Sequence, residues 1–258
     1  MGERTRHAPG TFSSADLATS DADAAKSFYG GLFGWQSEDM AGARGTYTIF
    51  RLDGKHVAGC FEGADGGTDV PPHWNSYVTV QDVDASVARA TELGGSVLMQ
   101  AQDVAQIGRM AMIADPTGAA VALWEPRGAI GAELVNVPGA PCWNDLATTD
   151  VAAAMTFYGE LFEWTFEEVC GAQSRHRIHN CETENGSVYL QGADERGVPP
   201  NWLVYFATGD LEGSDAHAIE LGGQVIVDPL GVPAGGRVSV VRDPQGAAYG
   251  LFDGPLDP

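Results

Sequence analysis

Asp16 and Asp145 are the residues whose type and placement most directly offer chemistry, each the single acid in an otherwise neutral run, SSADLATS and WNDLATT. A carboxylate facing a cavity hydrogen-bonds a ligand hydroxyl or takes a proton as a general base. Turned toward a neighbouring helix, the same group would tie down backbone amides instead. Tyr77 and Tyr205 offer phenols, and Trp74, Trp143 and Trp202 offer flat apolar faces suited to a planar ligand. Each aromatic also has a plain packing alternative: Trp74 and Trp202 as plugs at the end of a core, Tyr77 and Tyr205 as core residues with satisfied hydroxyls.

These residues come in pairs because the chain is duplicated. FSSADLATSDADAAKSFYGGLFGW at Phe12–Trp35 returns as PCWNDLATTDVAAAMTFYGELFEW at Pro141–Trp164, an offset of 129. Further on the offset is 128: VPPHW at Val70–Trp74 returns at Val198–Trp202, ELGG at Glu92–Gly95 at Glu220–Gly223, and DPTGAA at Asp115–Ala120 as DPQGAA at Asp243–Ala248. Matching blocks in one order over most of both halves mark two copies of one domain.

The elements that must position these residues follow from periodicity. Thr11–Ser20 alternates as a strand, and Asp21 offers an N-cap to a helix with Ala24, Ala25, Phe28, Tyr29, Leu32 and Phe33 on one face. Strands are predicted at Trp35–Met40, Gly45–Leu52 and Val57–Glu62. A loop rich in Gly, Asp and Pro leads to a strand at His73–Val80, a helix capped by Asp82 and stopped by Gly94-Gly95, then strands at Ser96–Gln100, Arg109–Ala114 and Ala119–Glu125. The second half repeats this from Cys142 to Phe252. The expected fold is α+β: two domains at 11–127 and 139–254 with a linker at 128–138, after a disordered arm at 1–10. Each domain holds two β-α-β-β-β modules in a curved sheet, helices on the convex side and a cavity on the concave side. Strand alternation sends Asp16 and Asp145 to the same face of their sheets.

Composition narrows the function. A hydrophobic fraction of 44% with 19% charged residues describes a soluble globular chain, and no apolar run resembles a signal peptide or membrane span, so a cytoplasmic location is expected. The net charge of −21, from 14 basic and 35 acidic residues, disfavours nucleic acid and anionic membranes as partners. Cys60, Cys142, Cys170 and Cys181 form no CxxC pair and are read as reduced thiols. Cys170 and Cys181 flank a predicted hairpin turning at Gly171–Ser174 that would not bring them opposite each other.

The order strand, D-x-x-x-x-x-x-FY-x-x-LF-x-W, ELGG, DP-x-G, last strand, found twice, resembles the vicinal oxygen chelate superfamily of glyoxalases, extradiol dioxygenases and bleomycin resistance proteins. The resemblance implies a metal held in each cup by His and Glu side chains from the first, fourth, fifth and eighth strands. Carried over residue by residue, those positions fall on Ser14, Gly59, Asn75 and Ala122 in the first copy and on Trp143, Val188, Leu203 and Gly250 in the second. These residues are not a divalent-metal ligand set, so no cofactor is expected. His73 has the parity of the fifth-strand ligand, and His73, His56 or Glu125 are the alternative donors.

The expected function is therefore a metal-free cup binding a small hydrophobic or aromatic molecule, antibiotic-like or polyketide-like, through Ser14, Asn75, Tyr77, Trp74, Trp143, Trp202 and Tyr205. The alternative is an enzyme of the same superfamily, with Asp16 or Asp145 as general base or a metal on non-standard ligands. A monomer or homodimer is expected. Arg175, Arg177 and His179 alternate on one strand of the second copy, placed opposite Thr46, Thr48 and Phe50 of the first. They line an anion site or form a solvated face.

Overall fold

The computed structural model describes residues 2–42, 45–63, 70–169, 174–232 and 235–256. The first half runs β1 (Phe12–Thr19), α1 (Ala22–Phe33), β2 (Gln36–Gly42), β3 (Gly45–Leu52), β4 (Lys55–Glu62), β5 (His73–Thr79), α2 (Val83–Glu92), β6 (Ser96–Val104), β7 (Gly108–Ala114) and β8 (Ala120–Pro126). The second runs β9 (Pro141–Thr148), α3 (Val151–Phe162), β10 (Thr165–Val169), β11 (Arg175–Asn180), β12 (Thr183–Leu190), β13 (Asn201–Ala207), α4 (Leu211–Glu220), β14 (Gln224–Gly231), β15 (Arg237–Arg242) and β16 (Ala248–Asp253). Each half is one eight-stranded sheet, ordered β2-β3-β4-β1-β5-β8-β7-β6 and β10-β11-β12-β9-β13-β16-β15-β14. The two modules of a half join where β1 meets β5, and β9 meets β13, antiparallel.

Asp21 and Asp82 cap their helices as read, and Asp150 and Asp210 repeat them in the second half; each accepts from a backbone amide three residues on, at 2.9–3.0 Å. Gly34 ends α1 at φ 72°, whereas α3 ends at Glu163 with φ 61°, the same left-handed cap without glycine. In the two DP-x-G turns the aspartate side chain collects the amides of its own turn, Asp115 from Thr117 and Ala119, Asp243 from Gln245, Gly246 and Ala247.

The helices pack across the duplication, α1 on α4 and α2 on α3, and the two largest cores are each built from both halves. One core joins Phe28, Tyr29, Trp35 and Trp74 to Phe206, Leu211, Val241, Tyr249 and Leu251. The other joins Val78, Ile113 and Leu123 to Leu146, Phe157, Trp164 and Trp202. Polar ties cross the same seam. Trp74 Nε1 donates to Tyr29 Oη (3.0 Å), which donates to Asp243 Oδ2 (2.9 Å). In the second copy Trp202 Nε1 donates to Tyr158 Oη (2.9 Å), and the Tyr158 hydroxyl interacts with Asp115 across the seam. Trp35 Nε1 reaches Gly139 O and Trp164 Nε1 reaches Gly10 O, both at 2.7 Å, so each copy's tryptophan anchors the segment entering the other copy's first strand.

The arm at residues 2–10 differs from the disordered segment expected. It pairs with the linker through Arg4 N to Glu133 O and Val135 N to Gly2 O, and His7 Nε2 contacts Ala132 O. A polar composition concealed this because the contacts are made by backbone groups. Cys60, Cys142 and Cys181 are free thiols, while Cys170 and residues 171–173 of the expected hairpin turn lie outside the described residues. Among the described residues, no helix is long and apolar enough to cross a membrane.

Candidate functional site

β1 and β9 run through the middle of their sheets, with β4 or β12 on one side and β5 or β13 on the other. Alternation along β1 sends Ser14 and Asp16 to the concave face and Leu17 to the helices. The register sets Asp16 beside Gly59 and Asn75, and Asp145 beside Ser187 and Leu203. The fourth-strand position opposite the aspartate is thus Ser187 in the second copy, not Val188, which is buried among the helices. Arg175 likewise occupies the place of Tyr47, not Thr46: Arg175 pairs with Tyr189 as Tyr47 pairs with Phe61. The cause is the offset, which has become 128 by this point in the chain, a shift the loop sequence before β11 hides.

In the first cup Asp16 is 4% exposed and accepts from Tyr77 Oη (2.6 Å) and Asn75 Nδ2 (3.0 Å). Burial raises its pKa to about 6, against the lowering effect of these two bonds. Tyr47 lies across Gly59 so closely that a Cβ there would overlap its hydroxyl; only glycine leaves the ring this place. Farther along the concave face Tyr77, Ala122 and Trp124 form a cluster with Val104, Met110, Met112 and Ala129. The linker closes over them: Trp124 Nε1 donates to Ala129 O (2.9 Å), Ala132 N to Ser13 O (2.7 Å), and Gly131 packs against Ser14. The chain itself fills this cup.

The second cup is open, a cavity of about 470 Å³ whose lining includes Trp143, Asp145, Arg175, Tyr205, Val238 and Phe252, with Pro255 and Leu256 at its edge. Asp145, 4% exposed, is held from three sides: Trp143 Nε1 (2.8 Å) and Ser187 Oγ (2.5 Å) donate to Oδ1, and Arg175 Nη1 (2.6 Å) to Oδ2. The Arg175 guanidinium sits 4.3 Å over the Tyr189 ring. Tyr205 lies flat over Gly250, where a Cβ would strike its ring, and burial followed by the Asp145 charge raises its phenol well above the usual value. At the rim Arg177 pairs with Glu184 (2.6 Å).

Of the expected site residues, Ser14, Asp16, Asn75 and Tyr77 meet in the first cup, and Trp143, Asp145 and Tyr205 in the second. Trp74 and Trp202 are in neither. They stand opposite Leu17 and Leu146 in the register, so both rings turn to the helices and serve the cross-domain cores. Residues not singled out from sequence, Ser187, Val238, Phe252 and Tyr47, decide how the cups differ. Counting every residue from the later 128 offset was the signal that would have found Tyr47 and Ser187.

A metal does not fit these residues. The positions that would hold one carry Ser14, Gly59, Asn75 and Ala122, or Trp143, Ser187, Leu203 and Gly250, and among the described residues no three His, Cys, Asp or Glu side chains converge. The alternative donor His73 is turned to its own loop, Nδ1 to Pro71 O at 2.8 Å. His56 contacts Gly131 O and Ala58 O.

Residues 11–123 match the model of the Glyoxalase/Bleomycin resistance protein/Dioxygenase superfamily, and residues 143–252 match that of a glyoxalase-like domain. The chain is 40% identical over 257 residues to "Putative glyoxylase CFP32" of Mycobacterium tuberculosis, with 98% of each chain covered. It is 34% identical over 269 residues to "Anthracycline biosynthesis protein DnrV" of Streptomyces peucetius, covering 96% of this chain and 95% of that one. Among solved structures, the Mn(II)-bound glyoxalase from Novosphingobium aromaticivorans superposes with a TM-score of 0.68 at 14% identity, over 98% of this chain and 83% of that one, a likeness of fold.

Proposed function

This chain belongs to the glyoxalase/bleomycin resistance/dioxygenase superfamily, and we propose that within it the protein binds one small, flat, largely apolar molecule in the second cup without a metal. The observation that carries this reading is the open cavity of about 470 Å³ walled by Trp143, Tyr205 and Phe252. That size lies within the ordinary range for small-molecule sites, roughly 300–1,000 Å³. The likeness to an anthracycline biosynthesis protein supports a polycyclic aromatic ligand.

The test is titration with a planar polycycle such as alizarin, following quenching of tryptophan fluorescence. Saturation is expected at one equivalent per chain, because Tyr47, Trp124 and the linker occupy the first cup. Two equivalents of equal affinity, or no saturable binding of this or related polycycles, would sink the reading. Trp143→Ala, at a half-buried position, is expected to fold normally and weaken binding by about 5- to 30-fold, the worth of one aromatic contact of about 1–2 kcal/mol.

A second reading, metal-free turnover with a carboxylate as general base, is favoured by Asp16, whose pKa of about 6 suits a base working near neutrality. It requires substrate to displace Tyr47. Its mark would be a rate that rises through pH 6 and vanishes in Asp16→Asn. In the second cup the candidate base is Asp145, where Asp145→Asn would be the corresponding test.

A further inference from the structure

Resting on the second cup as the binding site, we infer that Arg175 is its specificity-determining anchor, and that the ligand is a flat aromatic acid presenting a carboxylate or an ionised phenol to this guanidinium.

The donors and acceptors of the cavity lead to this class. Asp145 is the buried acceptor on the floor, and both its oxygens are engaged, Oδ1 by Trp143 and Ser187 and Oδ2 by Arg175. It has little left to offer a ligand's hydrogen-bond donor. Arg175 stands the other way round. Its Nη1 is spent on Asp145 and Ser187, one face is covered by Tyr189, and its Nε–H and Nη2 amino group make no hydrogen bond among the described residues. A guanidinium only donates and matches paired oxygens in a fixed fork. The neighbouring cation, Arg177, is engaged by Glu184. Glu184 also lines the cavity but is paired with Arg177, so the ligand's polar edge beside Arg175 meets unpaired donors, while Trp143, Val238 and Phe252 receive its apolar body.

The first cup provides the internal control. At the same register it has Tyr47, whose ring fills the space over Gly59 where the second copy has Ser187. Loss of the tyrosine plug and gain of the anchor are one replacement at one position.

The experiment compares anthracene-2-carboxylate with 2-(hydroxymethyl)anthracene, equal in shape and differing in the charged acceptor, by fluorescence titration of the full chain. The carboxylate is expected to bind tenfold or more tightly, about the worth of a hydrogen bond to a charged group. Both probes should weaken together in Trp143→Ala, which locates them in the cup. The double variant Arg175→Met with Asp145→Asn removes both charges, leaves neither buried alone, and should erase the preference. Equal affinities in the unaltered protein, or a preference that survives the double variant, would overturn the anchor and leave the cup standing. Binding of neither probe would overturn the anchor together with the reading beneath it.

Discussion

Tyr29→Ala is expected to destabilise the whole protein by about 3–5 kcal/mol, the usual cost of emptying an aromatic from a packed core, and to lower the urea midpoint of both halves together. Tyr29 is fully buried, and its ring touches Phe33, Trp35, Phe50 and Trp74 of its own half and Tyr249 of the other. Its hydroxyl accepts from Trp74 and donates to Asp243 across the seam. Tyr29→Phe keeps the ring and strands those two partners, so a smaller loss of about 1–3 kcal/mol is expected. The measurement is urea unfolding followed by hydrogen exchange in strands of each half. Lost protection confined to residues 12–126, with the second half unchanged, would show that the shared cores do not couple the copies. The expected single transition follows from the packing, since each of the two largest cores is built from both halves.

The second large effect is a dependence on pH. Asp16 has its folded pKa raised from 3.8 to about 6, chiefly by burial. As pH rises, the unfolded chain releases this proton near 4 and the folded chain only near 6. Asp16 therefore contributes its stability below about pH 4 and loses it as pH rises through 6, a swing of about 3 kcal/mol. Asp215 and Asp243 are shifted in the same sense, and Asp39, Asp84 and Glu212 in the opposite one, so the raw pH profile is a sum. The difference between the protein and its Asp16→Asn variant isolates this residue. Asparagine still accepts from Tyr77, and Asn75 turns its amide to meet the new donor. The variant is expected to match the parent near pH 4 and to exceed it by up to about 3 kcal/mol at pH 8. A difference that does not change between urea titrations at pH 4, 6 and 8 would refute the assignment.

These two residues also mark what a linear reading reveals and what it conceals. The duplication, the order of elements, the four aspartate helix caps and the DP-x-G turns are local. Each depends on residues a few positions apart, so each was legible before any contact was known. The shared face of Asp16 and Asp145 was legible too, because alternation has a period of two wherever a strand is regular.

Alternation separates the two faces of a strand without saying which is concave. Alternation already sets Trp74 and Trp202 on the face away from Asn75 and Leu203; what left a cavity wall open as a reading was their place at the entry of the strand, and the structure seats both against the tyrosines of the helices. Register across the β3–β4 and β11–β12 hairpins depends on how many residues each preceding loop consumes, and a one-residue slip exchanges the faces. Arg175 was therefore set opposite Thr46 instead of Tyr47 until the strands were paired. The sequence by itself determined two copies of one superfamily domain and the absence of a metal ligand set at the matched positions. Only tertiary structure decided that one cup is filled by its own chain, that the other is open over an arginine, and that the two largest cores are each built from both copies. These outcomes belong to side chains distant in sequence competing for the same volume, which no local pattern records.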